Sequence, residues 1–177
     1  MNMLKKLTMF IILLQLMIIG CGVYEPMEIV PDHIQTIRIV PFKNETQEMG
    51  LSSELTEEVI NEFIKDGRLT VVNSDKADSI LKGTIIEYTK IPISYDENFI
   101  ATEFKLNMII NLSYYDNIEK LKLWEDKREG FDGGIENWVK YYVQQNAEFV
   151  ETEEEAIQRL VEDTADKILH RTVYGWE

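Results

Sequence analysis

The stretch Phe104–Tyr114, FKLNMIINLSY, decides the fold. Phe104, Leu106, Met108, Ile110, Leu112 and Tyr114 alternate with Lys105, Asn107, Asn111 and Ser113. Apolar residues at a period of two predict a strand with one buried face and one wet face, typical of an antiparallel sheet. Asp116-Asn117 marks a turn, and Leu121–Phe131 can pair back as a hairpin until Asp132-Gly133-Gly134 breaks the sheet. Upstream, Ser79–Thr89 (SILKGTIIEYT) predicts the neighbouring strand, with Gly83 as a bulge. Lys90–Asn98 (KIPISYDEN), marked by Pro92 and the Tyr95-Asp96 pair, reads as the connecting loop.

Outside this core the period changes. In Leu51–Gly67 (LSSELTEEVINEFIKDG), Leu51, Leu55, Val59, Phe63 and Ile64 recur at helical spacing. Ser52 or Ser53 can cap that helix, and Gly67 can stop it. A strand precedes it at Ile34–Phe42, with Pro41 at its end, followed by a polar loop at Lys43–Gly50. Leu69–Val72 is a short return strand. Trp138, Tyr141 and Tyr142 fit either a last half-buried strand or a packed loop. The final helix opens on a capping box, Thr152 and Glu155, and carries Ile157, Leu160, Val161, Ala165, Ile168, Leu169 and Val173 on one face. The expected fold is α+β in the order β-α-β-β-β-β-α. Two helices cover one face of a mixed, largely antiparallel sheet of four to five strands, in a single domain over residues 34–177.

The N-terminus has a different chemistry. Lys5 and Lys6 precede a mostly apolar run, Leu7–Ile19, and then come Gly20 and Cys21, the only cysteine among 177 residues. This is the pattern of a secretory signal over residues 1–20, and the apolar run is too short for a comfortable membrane span. A lone thiol in an exported chain has no internal disulfide partner. Ile18-Ile19-Gly20-Cys21 resembles the bacterial lipobox, which predicts acylation of Cys21 and a lipidated tether over residues 21–33. About a dozen residues separate Cys21 from the first strand, a reach of roughly 40 Å when extended.

Losing residues 1–20 removes two lysines and no acid, so the formal charge moves from −14 to −16. Such a chain is not built for nucleic acid, which rewards clustered Lys and Arg. His33 and His170, the two histidines, stand near no Cys, second His or nucleophile motif. No Gly-rich phosphate loop follows a strand. The sequence therefore predicts neither an enzyme nor a cofactor.

Several stretches together resemble the lipopolysaccharide-assembly lipoproteins of the LptE family. They are PDHIQTIRIVPFKNET (31–46), LTEEVINEFIKDGRLTVV, KADSILKGTIIEY and the closing TEEEAIQRLVEDTADKILHRTVYGW. The resemblance implies two helices on a sheet, in an outer-membrane lipoprotein of a diderm bacterium, anchored on the periplasmic side. It also implies a plug inside a large LptD-like β-barrel, assisting barrel assembly and lipopolysaccharide insertion into the outer leaflet. Gly22 after the cysteine fits sorting to that membrane. One departure from the family pattern is charge: lipid-binding members are thought to use basic residues, and this mature chain is strongly acidic.

Candidate contacts for lipopolysaccharide or a partner are Lys105 on the wet face of the central strand, Lys122 and Arg128 on its hairpin partner, Tyr95 and Trp138. A local cationic patch can bind phosphate despite a negative total, because screening confines repulsion to about 8–10 Å. Two other readings predict different surfaces. An activator of a cell-wall synthase needs a longer tether, and a small-ligand lipoprotein or hydrolase needs a deep polar pocket.

Overall fold

A computed structural model describes residues 30–126, 134–143 and 151–175. Its elements in chain order are β1 (Thr36–Ile39), β2 (Lys43–Asn44), α1 (Leu51–Asp66), β3 (Thr70–Val71), β4 (Ser79–Tyr95), β5 (Ala101–Asp116), β6 (Leu121–Asp126), β7 (Ile135–Tyr142) and α2 (Glu153–Val173). The sheet runs β3-β1-β4-β5-β6, with β2 also on β4 and β7 also on β5. Pairings of β1 with β3 and β4, and of β2 with β4, are parallel; β4–β5, β5–β6 and β5–β7 are antiparallel. This is the expected α+β class with seven strands.

Three expectations for the strands change. The strand expected over Ile34–Phe42 stops at Ile39, and the chain resumes pairing at Lys43–Asn44, inside the segment read as a loop. Lys90–Tyr95, also read as loop, continues β4. The Leu81 and Ile85 carbonyls point toward the β1–β2 side, where they accept from Val40 and Glu45. The alternation, carried through the one-residue irregularity after Ile85, turns the backbone groups of Tyr88, Lys90 and Pro92 to that same side. Pro92 therefore needs no N–H, and a proline sits in a strand at no ladder cost. That irregularity, and not Gly83, is the bulge: Gly83 pairs regularly with Leu112.

The core lies between the sheet and the two helices. Leu81, Ile85, Leu106, Met108, Ile110, Leu112 and Tyr114 face Leu51, Leu55, Val59 and Phe63 of α1 and Leu160, Ala165, Ile168 and Leu169 of α2. Each such side chain contributes roughly 1.5–3 kcal/mol through burial. Ile64, expected in the stripe, is 63% exposed, because Phe63 occupies the core-facing position beside it. The α1 serines also differ from expectation. Gly50 is the N-cap, Ser53 Oγ donates to the Gly50 carbonyl, and Ser52 Oγ donates to the Phe42 carbonyl. Thr56 completes this clamp by accepting from the Phe42 N–H at 3.0 Å, so α1 holds the chain where it leaves β1. On the other side, Thr164 Oγ1 accepts from the buried Asn137 amide at 3.0 Å, and Arg171 pairs with Asp126 at 2.8 Å, tying α2 to β7 and β6.

Candidate interaction surface

Residues of one parity on β5 face away from the helices, and register decides what they meet. Lys105 stands between Ile91 of β4 and Lys140 of β7. Its ammonium lies 4.9 Å from the centroid of the Trp138 ring, a cation–π contact. Lys140 pairs with Glu103 at 3.7 Å. Trp138 and Tyr142 are about half exposed on this face. The face is not uniformly wet: Asn107 and Ile109 are buried between their cross-strand neighbours Thr89, Trp138, Glu87 and Glu136.

Toward the β4–β5 turn the surface becomes apolar. Ile91, Ile93, Tyr95, Phe99 and Ile100 are all exposed, Phe99 at 88%. The turn is held rigidly. The Asp96 carboxylate accepts from the N–H groups of Asn98 (2.8 Å) and Ile100 (2.9 Å), and the Asp96 N–H donates to the Ile100 carbonyl at 2.9 Å. These bonds, that from Ile100 foremost, hold the Asp96 carboxyl below its usual pKa. Phe99 sits at φ 62°, a conformation costly for an aromatic residue. The outcome is a stiff hairpin that spends strain to push a phenylalanine into solvent.

Of the residues singled out from sequence, Lys105 and Trp138 come together, and Tyr95 lies on the same hairpin face. Lys122 does not join them. It pairs with Tyr115, ten residues from Lys105 along β5 and so about 33 Å away, and bonds Glu125 at 2.6 Å. Arg128 and Cys21 lie outside the described residues. Lys140 was missed, and of the apolar tip only Tyr95 was singled out, because Pro92 made that segment read as a loop.

The helical side is the acidic one. A cleft of about 440 Å³ between the starts of α1 and α2 is lined by Glu48, Met49, Glu54, Glu153, Glu154 and Ile157. Elsewhere His33 Nε2 contacts a buried Asp116 oxygen at 2.5 Å, and Glu119 offers a third ligand atom with all three within 4.8 Å of one another. Asp116 also accepts from the N–H groups of Ile118 and Glu119, so the pair is satisfied as a clamp on the first residues of the domain. His170 stacks on Tyr174 and faces Asp166 at 3.5 Å.

The family model for LptE, lipopolysaccharide-assembly, matches residues 34–172, from two residues before β1 into the last turn of α2. The chain belongs to the LptE family. Among solved structures, protein XCC0632 from Xanthomonas campestris is similar to this LptE-family chain with a TM-score of 0.56 at 8% identity, covering 81% of this chain and 88% of that one. The minor lipoprotein from Acinetobacter baumannii has a TM-score of 0.47 at 12% identity, covering 78% and 91%. The first likeness shows the shared fold. No curated protein matches the chain.

Proposed function

We propose that the protein is a lipid-anchored, non-catalytic subunit of the outer-membrane lipopolysaccharide translocon, seated within a large β-barrel whose assembly it assists. The observation that carries this reading is the family match across the whole αβ domain. Two further features support it. Cys21 follows a lipobox-like Ile18-Ile19-Gly20. The tether enters beside Asp116, at one end of the sheet, while the apolar hairpin tip lies at the other, about 50 Å away along β4. The described chain thus begins at the end of the sheet opposite the tip, an arrangement that suits a plug whose tip reaches along a barrel lumen. Lumen walls are polar, which suits an acidic occupant.

Depletion tests the reading directly. Loss of the protein should lower the amount of folded barrel in the outer membrane; a normal level of assembled barrel in its absence would sink the proposal. Anchoring is tested separately, by labelled palmitate that enters the wild type and is lost in Cys21→Ala.

A further inference from the structure

Among the described residues, the outer half of β4 is paired with β5 on one side only and is a sheet edge on the other. Beyond Ile85, where β2 ends its pairing, no strand among the described residues lies on that side of β4. The backbone groups of Tyr88 and Lys90, and the Pro92 carbonyl, face this open side by the alternation described above. Open edges are templates for strand addition, and proteins usually guard them with lysine or proline. Here the guards are weak. Lys90 turns its ammonium onto Glu153 at 2.5 Å, away from the edge, and Pro92 removes one donor only.

The same Glu153 lines the acidic cleft, so edge and cleft adjoin. A strand laid on β4 would project every second side chain toward Glu48, Glu153 and Glu154, with the 91% exposed Met49 as an apolar contact at the rim. A second copy of this chain is excluded as the occupant by like charge, since it would bring −16 against −16 and cleft against cleft. We infer that the Glu87–Pro92 edge of β4 and the adjoining acidic cleft form a docking site for an extended, basic segment of a partner protein, held by strand addition. The inference goes beyond the plug reading and does not depend on it, because the site is defined by backbone geometry and charge alone.

The test uses full-length protein in detergent and a labelled octapeptide of alternating Lys and Val. That peptide should bind, weaken with salt, and slow hydrogen exchange at the Tyr88 and Lys90 amides. Lys90→Pro deletes an edge donor while sparing the β5 ladder, and should weaken binding about ten-fold; Lys90→Ala keeps the N–H and should bind as wild type does. An octapeptide N-methylated at every residue, which cannot donate to the ladder in either strand direction, should not bind, nor should one with Glu in place of Lys. If the Lys-Val peptide does not bind, or binds without protecting those amides, the proposal is overturned. Equal binding of the N-methylated peptide overturns it too, and that arm decides alone should Lys90→Pro not fold.

Discussion

A methyl group on Gly83 would sit 2.7 Å from the Phe42 ring and 3.0 Å from Leu112. This glycine is required by a close approach, not by a bulge: the Phe42 ring, which follows β1, lies directly against it. Gly83→Ala should cost about 1–3 kcal/mol by overpacking, read as a lower urea midpoint with an unchanged slope. At the opposite end of the residue scale is the clamp of an exposed His33 on a buried Asp116. The hydrogen bond to Asp116 raises the His33 pKa above 6.5. Burial pushes the Asp116 carboxyl up, but the Glu119 and Ile118 N–H groups and His33 outweigh it, and the carboxyl ends below 3.8. A raised histidine contributes stability below its unfolded pKa and loses it as pH rises through the folded one; a depressed carboxylate contributes above its unfolded pKa. The clamp is therefore strongest between about 3.8 and 6.5. His33→Gln should lower Tm more at about pH 5.5 than at about pH 9, and an equal loss at both would show that charge plays no part.

At the scale of elements, the two helices begin differently. α2 has the full capping box, with the Thr152 hydroxyl accepting from the Glu155 N–H and the Glu155 carboxylate accepting from the Thr152 N–H. Thr152→Ala should cost about 1 kcal/mol, and Thr152→Asn or Asp should recover most of it. α1 has no side-chain cap, because its N-cap is Gly50, which has no side chain; Ser52 and Thr56 bind Phe42 instead. Its start is stabilised by tertiary contact instead. β4 and β5 show a similar division. Near Ser79 and Asp116 they are core strands under two helices; near Tyr95 and Ala101 they are a free-standing hairpin with apolar side chains in solvent. A hairpin on its own is marginal in water, so the tip depends on the Asp96 turn bonds and on β7 beside it.

For the whole molecule, the acidic cleft and the exposed apolar tip lie apart, while the outer sheet face sets its lysines beside Glu87, Glu103 and Glu136. The helices carry the acidic cleft, and the outer sheet face carries Lys105, Lys140, Trp138 and Tyr142, continuing into the apolar tip. If lipopolysaccharide is bound through cations, the outer face near the tip is where apolar and cationic groups converge. Lys105→Gln with Trp138→Ala should weaken binding to purified lipopolysaccharide and flatten its salt dependence, with circular dichroism unchanged. Lys122→Gln, about 33 Å away and already paired with Glu125, should leave binding intact. Equal loss in both variants would mean that the attraction is diffuse.

What sequence alone determined was local. Alternation of side chains in Phe104–Tyr114, the stripe of α1 up to Phe63 and the capping box of α2 each follow from interactions within a few residues, so their periods are legible without a fold. The family resemblance rested on the order of those same segments, and its match to residues 34–172 bears it out. Pairing is non-local, and only the tertiary structure decided it. Register put Lys105 beside Trp138 and Lys140, and sent Lys122 to the far end of β5. The direction of the Pro92 backbone toward an unpaired edge turned an expected loop into strand. Trp138 and Tyr141, neighbours in one short segment, went to opposite faces of β7, Trp138 half exposed and Tyr141 buried. Which face of a strand is core depends on what the sheet packs against, and that lies beyond the strand itself.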